Sequence, residues 1–186
     1  EAEIAQGRLD LRDQHTYTVD GLDARDLDDA ISVERLGEGY RLWVHIADVS
    51  HYVRPQTELD KEAFKRANSV YLVDRVLPML PPKLSNGLCS LNPGHDRLCL
   101  SCRIDYNAEG QVIAGQVAKT VIQSKVRSSY EELREIFSGQ EPEGLPDWFL
   151  ESVGLARELS ALLSARRARR GAMVFDFPET KVVLDA

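Results

Sequence analysis

Thr18-Val19-Asp20-Gly21-Leu22-Asp23-Ala24-Arg25-Asp26-Leu27-Asp28-Asp29-Ala30 is the stretch that decides how this chain is read. It holds five aspartates, and four of them, Asp20, Asp26, Asp28 and Asp29, recur at a spacing that calls for a physical reason. Two carboxylates ~5 Å apart repel by roughly 3 kcal/mol at an effective dielectric of about 20. Four in one small loop must splay apart, take up protons or hold a cation. Thr16, Thr18 and Asp20 share one side of an expected strand, with Tyr17 and Val19 on the other. Asp26 and Asp28 share a face only in an extended segment, and Asp26 and Asp29 only in a helix. No single regular element therefore gathers all four. A strand end has to bring Asp20 against an irregular Asp26–Asp29 segment, with Gly21 turning the chain between them. All-oxygen ligation of this kind favours Mg²⁺ or Mn²⁺ over zinc, since no cysteine or histidine lies nearby.

Two other readings stand beside a metal site. A calcium loop of about twelve residues starting at Asp20 would place Arg25 where glycine is needed and Ile31 where the bidentate glutamate belongs, so the spacing argues against it. The other is a solvated acidic turn between two strands, with one or two aspartates capping the chain, since acidic loops are common.

Outward from this loop, the chain has 186 residues, 43% of them hydrophobic, enough for one domain with a substantial core. The formal net charge of −7 excludes a strongly basic nucleic-acid binder, so contact with RNA must be local or metal-assisted. Apolar runs are too short to span a membrane, and the sequence is not expected to carry a secretory leader. Three cysteines, Cys89, Cys99 and Cys102, are an odd number that suggests reduced thiols and a cytoplasmic protein. Cys99 and Cys102 form a C-x-x-C inside an alternating strand, where residues three apart point to opposite faces. Leu98, Leu100, Cys102 and Ile104 are expected on the buried face of that strand.

The aspartate loop should continue as a strand over Ala30–Arg35, turn at Gly37-Glu38-Gly39 and return over Tyr40–Ala47, with His45 facing outward. Thr57 with Asp60 resembles a capping box opening a helix to about Ala67. Pro78, Pro81 and Pro82 exclude a helix or central strand, and Leu84–Leu91 suggests one or two helical turns. A second hairpin is expected from Arg97–Tyr106 and Gln111–Lys125, turning at Asn107–Gly110. Ser129 with Glu132 starts another helix that Gly139 stops. Gly139–Pro146 is linker-like, a longer helix runs from about Pro146 to Arg170, and Met173–Phe177 and Lys181–Leu184 read as late strands. The class is α+β, a mostly antiparallel sheet with packed helices. The four histidines make no ligand pair, and no nucleophilic-serine or P-loop pattern occurs. Arg166, Arg167, Arg169 and Arg170 close the long helix, as dipole-compensating cations or as a phosphate-contacting patch. Tyr71 lies between polar and proline-rich stretches, as a packing residue or as an exposed ring able to stack on a base.

The D-x5-D-x-D-D pattern of Asp20–Asp29, followed by Val44-His45-Ile46-Ala47-Asp48-Val49, resembles the RNB catalytic domain of the ribonuclease II superfamily, in its ribonuclease R-like branch. Arg8–Arg12, Ser69–Leu72, Pro78–Pro81, Leu84–Pro93 and Asp96-Arg97-Leu98 carry the same resemblance, in order, over essentially the whole chain. The resemblance implies a hydrolytic 3′→5′ exoribonuclease that acts processively from the 3′ end of single-stranded RNA and releases nucleoside 5′-monophosphates. It implies Asp20 and Asp29 as direct Mg²⁺ ligands, Asp26 as a further member of the acidic shell, and Asp28 as the aspartate on which cleavage most depends. It implies Tyr71 as a ring stacking near the 3′-terminal base. Residues 1–186 then correspond to the N-terminal portion of an RNB domain, with the linker-like stretch 139–146 inside it. Its partners would be the remainder of that domain and the flanking cold-shock and S1 domains, which resemble OB-folds. The expectation is that the isolated chain has no appreciable exonuclease activity. The alternative is a non-catalytic RNA-binding or regulatory RNB-like module.

Overall fold

In a computed structural model the structure describes residues 2–140, 142, 144–173 and 175. It is an α+β fold built on one seven-stranded sheet. In chain order the strands are β1 (Leu9–Leu11), β2 (Tyr17–Asp20), β3 (Asp29–Leu36), β4 (Gly39–Ala47), then β5 (Val70–Tyr71) and β6 (Val76–Leu77) of a separate small ribbon. The main sheet is completed by β7 (Asp96–Tyr106), β8 (Val112–Gln123) and β9 (Val126–Ser129). Its spatial order is β1-β8-β7-β4-β3-β2-β9, antiparallel except for the outer pairs β1/β8 and β2/β9. The helices are α1 (Ala2–Ala5), α2 (Val49–Tyr52), α3 (Glu58–Arg66), α4 (Tyr130–Phe137) and α5 (Asp147–Arg169), with a π-helical turn at Leu84–Leu88. Among the described residues no helix is long and apolar enough to cross a membrane.

Both long hairpins form where the turn residues place them. Gly39 is required at the start of β4, since a Cβ there would lie 2.0 Å from the Tyr106 carbonyl oxygen of β7. β8 and β9 sit near opposite ends of the strand order, yet only Ser124 and Lys125 separate them. Two linking residues reach at most about 11 Å, so the sheet has to roll until its ends meet. The Lys125 N–H donates to the Thr16 carbonyl (2.7 Å) at this closure.

Rolling gives the sheet a tight inner side, and there the structure corrects two sequence expectations. His45 points inward and is fully buried, and Cys99 and Ser101 occupy the interior of β7 while Leu100 is exposed. The cause is a polar relay that runs from Thr16, just before β2, across four strands. Thr16 Oγ1 meets Ser32 Oγ (2.8 Å), and Ser32 Oγ approaches His45 Nε2 (3.5 Å). His45 Nδ1 then meets Ser101 Oγ (2.8 Å), which meets Thr120 Oγ1 (2.6 Å). Small hydroxyls fill the narrow interior and satisfy one another, while Ile46 and Leu100, paired across β4 and β7, project from the other side.

Apolar packing falls into three places. Leu27, Ala30, Ala47, Cys89, Leu91, Cys99 and Ile122 close the end of the sheet under the aspartate loop. Tyr17 packs edge-on against Phe149, with Val153 beside it, where α4 and α5 cover β2 and β3. Leu159 of α5 meets Tyr40 and Tyr106 at the far end. Thr57 and Ser129 cap α3 and α4 as their spacing predicts, each hydroxyl accepting from the backbone N–H three residues on. α5 ends one residue before Arg170, and Gly171 follows with a positive φ of 85°. Arg166 donates to the Gly110 carbonyl, which fastens the helix end to the β7–β8 turn. The late strands expected at 173–177 and 181–184 lie outside the described residues apart from Met173 and Phe175, both exposed and outside regular structure.

Candidate metal and RNA site

The acidic loop sits at one end of the rolled sheet. β2 pairs with β3 at Tyr17–Ile31, which sets the last residue of β2, Asp20, at the same end as the first residue of β3, Asp29. Between them the chain leaves regular structure, as the spacing of the four aspartates requires. Leu27 plunges into the core with no exposed surface, and its neighbours Asp26 and Asp28 are thereby forced outward. The Leu27 N–H donates to Ser90 Oγ (3.1 Å), the Ser90 hydroxyl donates to the Arg25 carbonyl (2.9 Å), and the Leu91 N–H donates to the Leu27 carbonyl (2.8 Å). The Ala47 N–H holds the Asp28 carbonyl (2.9 Å). On the opposite flank Arg127 of β9 donates to the Leu22 (3.1 Å) and Ala24 (2.7 Å) carbonyls.

So anchored, the four carboxylates act on one another. Asp28 is held above the ordinary carboxylate range, first by desolvation and then by the charges of Asp26, Asp29 and Asp20. Asp20 is raised by desolvation and by Asp29 and Asp26, against the opposing pull of Arg127. The buried Oδ2 of Asp20 has no hydrogen-bond partner. Among the described residues, no three His, Cys, Asp or Glu side chains converge closely enough to enclose a metal ion. The aspartates thus form an open acidic rim rather than a closed cage.

Tyr71 joins this rim. It lies on β5, its ring is exposed, and its hydroxyl donates to Asp26 Oδ2 (3.3 Å). The charge of Asp26, desolvation and this hydrogen bond raise the phenol above its ordinary value. Between the ribbon and the acidic loop lies a cavity of ≈ 720 Å³, bounded by Arg25, Asp26, Tyr71, Arg75 and Asn86 among others. All five residues singled out from the sequence therefore come together.

Reading the sequence locally misses the residues that hold the loop. Ser90, Leu91 and Arg127 touch it from more than sixty positions away; the first two lie in the Leu84–Pro93 motif stretch, and nothing in the sequence singles out Arg127. Arg8 is a further case: it is buried and paired with buried Asp48 (2.6 Å), and it also donates to the Cys99 and Thr120 carbonyls. Burial opposes ionisation of Asp48, but hydrogen bonds from Ser50 and Arg8 outweigh it and hold the carboxyl low.

The sequence is 47% identical over 182 residues to "Ribonuclease R 1" of Lactococcus lactis, covering 96% of this chain and 22% of that protein. It is 48% identical over 183 residues to "Ribonuclease R" of Thermotoga maritima, covering 96% of this chain and 26% of that protein. The chain thus spans about a quarter of the length of these relatives. Among solved structures, Mycoplasma genitalium RNase R in complex with double-stranded RNA superimposes with a TM-score of 0.94 at 36% identity, over 100% of this chain and 33% of that one. The RNB domain family matches residues 8–186, and the chain belongs to that family.

Proposed function

We propose that the chain carries the metal-binding centre of a hydrolytic 3′→5′ exoribonuclease, which releases nucleoside 5′-monophosphates from the 3′ end of single-stranded RNA. The observation that carries this reading is the coupled acidic rim, with the orphaned Oδ2 of Asp20 at its buried edge and Tyr71 hydrogen-bonded to its outer edge. A buried carboxylate oxygen without a donor is a costly arrangement that a cation relieves. Asp20, Asp26 and Asp29 would hold Mg²⁺, with Mn²⁺ as an alternative hard ion, and Asp28 would complete the acidic set on which cleavage depends. When bound, such an ion supplies water activation and offsets the charge that develops on the departing 3′-oxygen. The protein's own part is positional. Ser90, Leu91 and Arg127 fix the loop, and the Tyr71 ring offers a stacking surface for the terminal base. The flanking cold-shock and S1 domains and the rest of the catalytic domain belong to this reading as partners.

The open spacing of the carboxylates favours a second reading, a non-catalytic RNA-binding or regulatory RNB-like module. Retention of all four aspartates speaks against it. Calorimetric titration of the chain with Mg²⁺, Mn²⁺ and Ca²⁺, repeated on Asp20→Asn, tests the metal centre. The expected result is binding of Mg²⁺ and Mn²⁺ that the substitution abolishes, and equal heats for both proteins would sink the proposal. In the full-length protein, Asp28→Asn is expected to stop release of 5′-mononucleotides while RNA is still bound.

A further inference from the structure

Arg25 is the one cation inside the aspartate loop, with Asp23 and Asp26 as near neighbours in sequence. Coulomb attraction alone would fold its guanidinium onto one of them, as Arg75 folds onto Asp74 in the same cavity wall (2.6 Å). It does not. Among the described residues the Arg25 side chain has no ion-pair or hydrogen-bond partner, although its backbone is fixed by the Ser90 hydroxyl. The charge that offsets Asp20 belongs to Arg127, and Arg25 is not among the influences on Asp20 or Asp28. Instead Arg25 is exposed and bounds the ≈ 720 Å³ cavity, opposite the wall formed by the β5–β6 ribbon. That cavity is large enough for part of a polynucleotide, with an aromatic face at Tyr71, the rings of Pro78 and Pro82, and polar groups at Ser69, Ser85 and Asn86.

We infer that Arg25 is a backbone-phosphate contact for an RNA strand lying in this cavity, held away from the adjacent carboxylates by the Ser90 clamp. This rests on the reading that RNA approaches the aspartates past Tyr71. The physical logic is a division of labour over a few residues. Four carboxylates would repel a polyanion, and a pre-extended guanidinium beside them offers a phosphate two parallel N–H donors without first breaking an ion pair. Arg75 lines the same cavity but is already neutralised by Asp74, so the two arginines should differ in their worth to RNA.

The test is fluorescence anisotropy with labelled single-stranded 12-mers of uridylate and of adenylate, on the wild-type chain, Arg25→Gln, Arg25→Lys and Arg75→Gln. The titrations run in EDTA across a series of salt concentrations. Arg25→Gln is expected to weaken binding about five- to tenfold at low salt, equally for both sequences, and to lower the slope of log affinity against log salt by about 0.7. Arg25→Lys should restore the slope and part of the affinity, and Arg75→Gln should change both much less. Thermal melting of Arg25→Gln should match the wild type, because the side chain has no internal partner to lose. Equal slopes for wild type and Arg25→Gln, equal losses for the two glutamine variants, or no RNA uptake by the wild type would each overturn the inference. Manganese calorimetry on Arg25→Gln separates this from the metal proposal. Unchanged heats with weakened RNA binding support the phosphate contact, and absent heats in the wild type with the same RNA result would leave Arg25 standing while the metal centre falls.

Discussion

Lowering the pH should destabilise this protein through His45. Burial without a charged partner depresses its pKa from the ordinary 6.5 to about 4. Its Nδ1 is engaged by Ser101 and its Nε2 faces Ser32, so the neutral ring fits the relay and an imidazolium would be desolvated inside it. In the unfolded chain the same ring takes up a proton near its ordinary value. Between about pH 6.5 and about pH 4 the unfolded state therefore binds more protons than the folded one, and stability falls as the pH falls. The linkage relation gives a loss of about 2 kcal/mol at pH 5, rising to about 3 kcal/mol at pH 4. With a urea dependence of about 2 kcal/mol per molar, the midpoint at pH 5 should drop by about 1 M relative to pH 7.5. Asp20 and Asp28, whose raised pKa values act in the opposite sense over part of this range, are common to wild type and variant. The comparison with His45→Gln, which keeps a polar side chain but does not titrate, removes their contribution. The assay is urea unfolding followed by tryptophan fluorescence in EDTA, at both pH values, on the two proteins. If His45→Gln lost as much stability between pH 7.5 and pH 5 as the wild type, the buried neutral imidazole would not be the cause and the reasoning would fail.

Three other outcomes are expected. Ser90→Ala leaves the Leu27 N–H and the Arg25 carbonyl without their partner and should cost about 2–3 kcal/mol by urea unfolding, with weakened Mn²⁺ binding. A stability change within ~0.5 kcal/mol would show that the clamp is replaceable by water. Arg8→Met strands Asp48 as a buried unpaired carboxylate and should cost about 3–5 kcal/mol, part of it recovered when Asp48→Asn is added; strictly additive losses would count against a coupled pair. Tyr71→Ala should barely move the melting temperature, because the ring is exposed, while weakening single-stranded RNA binding by about 1–3 kcal/mol. Tyr71→Phe, which retains the stacking face, should keep most of that affinity, and an equal loss in both would assign the effect to the hydroxyl.

Local rules in the sequence explain why so much of the fold is legible. The hairpin turns at Gly37–Gly39 and Asn107–Gly110, the caps at Thr57 and Ser129, and the stop at Gly171 each need only a few neighbouring residues to be understood. The aspartates are legible for a related reason: crowded like charges demand an explanation wherever they lie. The alternation in β7 reveals a strand but not which side faces in. Leu98 and Leu100 outweigh Cys99 and Ser101 on any hydrophobicity scale, yet the rolled interior takes the small polar side chains because Thr120, His45 and Ser32 are there to bond them. That choice depends on strands distant in sequence. The same holds for Ser90 and Arg127, whose importance to the acidic loop exists only once the chain has folded back on itself.

The parallel pairing of β2 with β9 also fixes an order of assembly. Asp20 lies opposite Ser129, so the strand that presents the first aspartate gains its outer neighbour only after more than a hundred further residues have been made. Contacts of such long sequence separation close slowly. During synthesis, the amino-terminal hairpin can form early while the acidic loop stays loose, and the loop acquires its final shape when Arg127 arrives to fasten it.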